Sequence, residues 1–163
     1  VFFVSIGGFD THTGQGQFQP PTPAIQGLAS LYQQIGQAMS AFYQSTVNMG
    51  VANEVTTFTL SDFGRTLTSN GDGTDHAWGG VQFVAGGPVQ GDRIVGTYPL
   101  LKVGAIRATD GADDVGAGRF IPTLSSDQYA ATLARWFGVS DGNLVRIAPA
   151  INNFSQRDLG FLV

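Results

Sequence analysis

Two short apolar runs, Val1-Phe2-Phe3-Val4-Ser5-Ile6 and Val55-Thr56-Thr57-Phe58-Thr59-Leu60, each lead into a segment that carries an aspartate: Asp10 after the first, Asp62 after the second. Their β-branched and aromatic content is that of strands. Between them Leu28, Leu31, Tyr32, Ile35, Met39, Phe42, Tyr43 and Val47 recur at steps of three and four, the spacing of one helix face over about residues 24–49. Gly50 stands where a helix stops in the left-handed C′ position. Strand, helix and strand in this order make a βαβ unit, whose strands are parallel and whose crossover is right-handed. The expectation is an α/β fold with a mainly parallel sheet flanked by helices, as one domain over residues 1–163. If the two strands are neighbours, Asp10 and Asp62 emerge at the same sheet edge, where ligands collect in α/β proteins.

The remaining pattern fills in around that unit. Residues 13–23 are polar and end in Pro20-Pro21-Thr22-Pro23, so they read as a loop, either a lid over Asp10 and His12 or a plain surface connector. Residues 67–80 also read as loop, through Ser69-Asn70-Gly71-Asp72-Gly73-Thr74. Val81–Ala85 is an expected third strand and Asp92–Gly96 a short fourth, while 103–118 is irregular. Ser125 can cap a second helix, with Gln128 reaching back as a capping box, and Tyr129, Leu133, Trp136 and Phe137 form its apolar face up to Gly138. Ile147, Ile151, Phe154, Leu159 and Phe161 are expected to tuck the tail onto the body.

Composition narrows the function classes. The net charge is −4 and Lys102 is the single lysine, so there is no basic stripe for nucleic acid. No apolar run is long enough to span a bilayer. Cysteine is absent, which excludes disulfides, thiolate ligands and a cysteine nucleophile. The first residues already read as a buried strand, unlike a polar, frayed terminus, and the expectation is that the chain is part of a longer protein.

The chemistry gathers on the two histidines. His12 and His76 each lie within two residues of an aspartate, as Asp10-Thr11-His12 and Asp75-His76. Asp10, His12, Asp62 and His76, with Asp75 in reserve, are a mixed carboxylate and imidazole set, which suits zinc or manganese better than an all-oxygen calcium cage. Each residue also has a plain structural alternative: Asp10 capping a turn, His12 bonded to a carbonyl, Asp75 closing the glycine-rich loop. Arg65 either clamps an anionic substrate group or forms an ion pair with Asp62 that fixes the loop. No nucleophile elbow and no phosphate-binding glycine loop is present.

Four motifs carry a resemblance: Gly8-Phe9-Asp10-Thr11-His12, Ser61-Asp62-Phe63-Gly64-Arg65-Thr66, Asn70-Gly71-Asp72-Gly73-Thr74-Asp75-His76-Ala77-Trp78-Gly79-Gly80 and Asp127-Gln128-Tyr129-Ala130-Ala131-Thr132-Leu133. Together they resemble the bacterial family known as domain of unknown function 1501, over essentially the whole chain. Members of that family are longer and usually begin with a twin-arginine export signal, so the resemblance implies the C-terminal part of a periplasmic or secreted protein, with an N-terminal remainder as its partner. The family is grouped with the alkaline phosphatase and sulfatase superfamily, which implies part of a large α/β sandwich and metal-dependent hydrolysis of phosphate or sulfate esters. The implied substrate is a small-molecule or polysaccharide ester. The implied cofactor is a divalent ion, zinc or manganese first and calcium as the remaining option. By the resemblance Asp10 and His12 are the first ligand pair, Asp62 belongs to the second and His76 is the late histidine; apart from the resemblance, Arg65 is the residue expected in a catalytic role, neutralising charge on the transferring group. The chain departs from the superfamily at Phe63, where a histidine ligand is expected and for which Asp75 would have to substitute. The superfamily's nucleophile and first metal aspartate fall before Val1. These departures imply an alternative: a non-catalytic sulfatase-like scaffold that binds polysaccharide or other envelope components.

Overall fold

The structure is a computed structural model that describes residues 1–16, 27–102 and 113–163. Most of the proline-rich loop, the first residues of the expected helix and most of the 103–118 stretch lie outside the described residues.

Helix α1 runs from Leu28 to Asn48. Gly50 follows in the left-handed region at φ 73°, and its N–H bonds Val47 O while Val51 N–H bonds Thr46 O, the closure that only a residue tolerant of positive φ allows cheaply. The apolar stripe is there but only part of it is covered: Leu28, Leu31, Ile35 and Met39 are half-buried and Tyr32 meets the rings of Phe9 and Phe83 at 5.9 and 6.5 Å, while Tyr32, Phe42, Tyr43 and Val47 are exposed and Thr46 is the helix's one buried residue. The stripe was expected to be core, and none of its apolar residues is fully buried.

Four short strands follow among the described residues. β1 (Thr56–Phe58) pairs antiparallel with β4 (Val84–Gly86), and β2 (Gly64–Ser69) pairs antiparallel with β3 (Thr74–Ala77). The stretch 67–80, expected to be loop, is therefore mostly hairpin. Its threonines supply strand residues, and Asn70-Gly71-Asp72-Gly73 is the turn; the glycines and polar residues hid the alternation. Residues 92–96, expected as a strand, form bends and irregular backbone instead, with Asp92 at φ 56°.

Residues 1–6 join no ladder among the described residues. Phe2 is fully exposed and Val1, Phe3 and Val4 are at least 87 % exposed. No parallel strand pair occurs among the described residues. Backbone N–H and C=O groups of an apolar run need partners when buried, and here the run has neither partners nor cover. Strands 1–6 and 55–60 as parallel neighbours are thus not observed, and the large sheet that would contain them is a proposal.

Helix α2 (Ser126–Trp136) begins as its sequence dictates. Ser125 Oγ accepts the Asp127 N–H, and the Gln128 side chain accepts the Ser125 N–H, which completes the capping box. Ala131 of α2 meets Leu144, Ala148 and Ile151 from the tail, all at most 2 % exposed, to form the one cluster of fully buried apolar side chains among the described residues. The 3₁₀ segments at Asp141–Arg146 and Ile151–Asn153 supply Leu144 and Ile151, and Ala148 lies between them. Leu159 and Phe161 are buried too, as expected for the tail, while Ile147 stays half exposed. Gln128 Nε2 bonds Gln156 O and the Leu159 N–H bonds Thr132 Oγ1, tying the tail along α2. No helix among the described residues is long and apolar enough to cross a membrane.

Candidate metal centre

The β2–β3 hairpin is clasped onto residues 9–15, and that clasp makes the site. The Thr74 N–H reaches Thr11 O and the Gln15 N–H reaches Asp72 O at 3.1 Å. The Gly14 N–H bonds Asp72 Oδ2 at 3.0 Å, and Thr74 Oγ1 donates to Gln15 Oε1 at 2.6 Å. Asn70 at the turn donates to His12 O at 3.1 Å. Gly73 permits the approach: a Cβ there would lie 2.3 Å from Thr11 O and 2.4 Å from His12 O, both rigid backbone atoms.

Arg65 is the rivet of this clasp. It stands opposite His76 in the β2–β3 register. Nε donates to Thr74 Oγ1 at 2.8 Å, Nη2 to Thr74 O at 2.6 Å, and Nη1 to Phe9 O at 3.2 Å and Asp10 Oδ1 at 3.3 Å. Four of its five N–H groups are thus committed to protein oxygens, and the side chain is 12 % exposed. The ion pair that fixes the loop is with Asp10; the sequence suggested Asp62.

His76 projects from β3 and His12 from the clasped segment, and both meet Asp10. His76 Nε2 lies 2.8 Å and His12 Nε2 3.1 Å from the same Asp10 Oδ1. Among the described residues, one ligand atom from each of Asp10, His12 and His76 falls within 4.8 Å of the other two. All three side chains are about half exposed, at 46–60 %. Donated N–H bonds, above all from His76 and then from Arg65, with the charge of His12, hold the Asp10 carboxyl below its ordinary 3.8 despite some desolvation.

The rings are held by different means. Phe63 stacks on His76 with centroids 4.0 Å apart and planes 11° off parallel. The Arg65 guanidinium carbon lies 5.5 Å from the same Phe63 ring centroid. His12 instead has Asp75 behind it, with Nδ1 3.5 Å from Asp75 Oδ1. Asn70 Nδ2 donates to that same Asp75 oxygen at 3.2 Å, and this bond is the main reason the Asp75 carboxyl also falls below 3.8.

The donor set fits a divalent ion of the zinc type. Two imidazole nitrogens and one carboxylate oxygen leave an open fourth position, the arrangement of catalytic zinc sites. Bonds of about 2.0–2.2 Å place tetrahedral ligand atoms roughly 3.3–3.6 Å apart, so the 2.8 and 3.1 Å separations from Asp10 must open by a few tenths of an ångström, and the widest separation in the set, up to 4.8 Å, must close by about an ångström or more. Asp62 is exposed and stands outside the converging group. Asp75 touches His12 and also stands outside it.

A family model described as a protein of unknown function, DUF1501, matches residues 1–148. The chain belongs to the DUF1501 family. No curated protein and no solved structure matches it. Phe63, which in the sequence marks only a missing ligand, is in this DUF1501 chain a stacking platform for His76. No local signal marks it, because stacking is decided by how β3 lies against residue 63.

Proposed function

We propose that this DUF1501 protein is a metal-dependent hydrolase of phosphate or sulfate esters. One observation supports it most: Asp10 Oδ1, His12 Nε2 and His76 Nε2 converge from segments far apart in sequence, through a hairpin whose turn and glycine are shaped to bring them together. These three residues would hold one ion, zinc or manganese. Such an ion polarises an ester oxygen and lowers the pKa of a bound water. Arg65 would keep the Asp10 carboxylate in place and set a fixed positive charge beside the ion, acting through its charge because most of its N–H groups are already engaged by Thr74, Phe9 and Asp10. Phe63 occupies the place of a second metal's histidine and stacks on the first site instead, so a single ion fits better than two. By family resemblance the attacking hydroxyl comes from a segment before Val1, the protein is exported, and the apolar run 1–6 and the exposed part of the α1 stripe are covered by further parts of a parallel sheet and its helices. Their exposure supports that part of the proposal.

The test uses the full-length protein loaded with zinc and assayed on 4-nitrophenyl phosphate and 4-nitrophenyl sulfate. One of the two is hydrolysed, and His12→Ala and His76→Ala each lose metal and activity together. A variant that keeps full activity would rule the proposal out.

One observation favours a second reading, the non-catalytic scaffold. Trp78, two residues past His76, is 65 % exposed and offers an apolar face of the sort on which sugar rings stack. Polysaccharide retention that survives His76→Ala and is lost in Trp78→Ala, with no hydrolysis by either protein, would favour it.

A further inference from the structure

Asp75 is the residue whose sequence role and structural place differ most. As the neighbour of His76 it looked like a ligand in waiting. In the fold its carboxylate lies behind His12, 3.5 Å from Nδ1, while Nε2 of the same ring is the atom that faces Asp10. An imidazole that binds a metal through one nitrogen carries its proton on the other, and a carboxylate accepting that proton fixes the ring and raises its basicity. We propose that Asp75 is the outer carboxylate of the centre: it accepts the His12 Nδ1–H and so aims Nε2 at the ion, and Asn70 holds both partners at once.

Asn70 makes this more than a single long contact. Its Nδ2 donates to Asp75 Oδ1 and to His12 O, so one amide ties the acceptor carboxylate to the residue it orients. Its Oδ1 in turn accepts the Gly73 N–H at 2.9 Å, which anchors the amide in the hairpin turn. Asp75 is placed from the other side as well, because its own N–H bonds Thr66 Oγ1 across the hairpin at 3.1 Å. The two histidines therefore have different neighbours behind them, His12 the Asp75 carboxylate 3.5 Å from Nδ1 and His76 the face of Phe63. Asp75 is a positioning residue, and the inference rests on the metal-centre reading above.

Cobalt(II) titration of the full-length protein tests it, followed by visible absorption and by the paramagnetically shifted proton spectrum. Wild type is expected to bind one cobalt and to show a slowly exchanging, strongly shifted His12 Nδ1–H resonance. Asp75→Asn keeps the one-to-one stoichiometry and the band intensity of the same coordination number. Its dissociation constant rises by roughly 10- to 100-fold, the range for loss of an outer-shell partner, and the Nδ1–H resonance exchanges faster. Asn70→Ala moves both readouts in the same direction by less, and Asp75→Glu restores part of each. If Asp75→Asn abolishes binding as His12→Ala does, or changes the band intensity to that of another coordination number, Asp75 is itself a ligand and the inference is overturned while the metal-centre reading stands. If Asp75→Asn alters neither affinity nor exchange, Asp75 has no role at His12, and the inference again falls alone. A wild type that binds no cobalt overturns both.

Discussion

Around Leu144 four side chains from α2 and the tail exclude water almost completely, and the polar side chains beside them, Gln128 and Thr132, are buried and hydrogen-bonded to the tail. Around Asp10 every proposed ligand is about half exposed, and the parts are held by hydrogen bonds, ion pairs centred on Asp10 and a close backbone approach at Gly73. The first region is secured by burial, which is non-directional and fails only when volume is lost. The second is secured by direction, so it depends on individual donors and acceptors. The difference teaches where each kind of substitution acts: apolar truncation should damage the fold and spare the geometry at Asp10, and polar or glycine substitution in the clasp should do the reverse.

The largest effect expected is at the apolar end. Leu144→Ala removes a side chain that is 2 % exposed, and such truncations cost about 2–5 kcal/mol. A chemical denaturation curve should record that loss. Zinc affinity measured well below the unfolding transition should change little, and a matching loss of affinity would break the comparison.

Gly73→Ala attacks the other region. Its new Cβ would sit 2.3 Å from Thr11 O, so the turn must back away from His12. Strain of this local kind costs on the order of 1–3 kcal/mol, and metal affinity should fall by roughly tenfold or more, as when a ligand loses its support. Isothermal titration with zinc checks it. Unchanged affinity would show that the clasp does not position His12.

Phe63→Leu is a milder probe of the same side. It keeps an apolar contact but removes the parallel stack on His76. Aromatic pairing is worth about 0.5–1.5 kcal/mol beyond area, so zinc affinity should drop by a factor of a few with one ion still bound. A gain of a second ion on Phe63→His would sharpen the point that this ring stands in a ligand's place.

Acid is the gentlest lever. The folded Asp10 and Asp75 carboxyls both titrate below their ordinary 3.8, Asp10 mainly through the His76 bond and Asp75 mainly through Asn70. A depressed carboxyl contributes stability that is fully present above the unfolded pKa and lost as pH falls through the folded one. Wild type should therefore exceed Asp10→Asn in denaturant midpoint at about pH 6, and the gap should close as pH falls below 3.8. A gap that widens in acid would contradict the assigned partners.

Much of this was legible in the chain. The second helix and its Ser125–Gln128 box follow from local chemistry, as does the stop of α1 at Gly50, because caps are decided within a few residues. The pairing of Asp10 and His12 with His76 was also legible, from the scarcity of histidine and its proximity to aspartate. The route that joins them was not. A parallel sheet edge was expected to do it, and among the described residues a hairpin does, because the turn's glycines and asparagine masked the alternation on either side. The roles of Asp75, Phe63 and Arg65 depend on which atoms the clasp brings into range. Spacing along the chain carries no information about that.

The central claim is that Asp10, His12 and His76 together hold one ion. X-ray absorption at the zinc edge of the stoichiometrically loaded full-length protein tests it most directly. The account predicts a four-coordinate spectrum with two imidazole ligands and oxygen neighbours at about 2.0–2.2 Å, falling to one imidazole in His76→Ala. An all-oxygen shell, or a wild-type spectrum that survives His76→Ala unchanged, would contradict it.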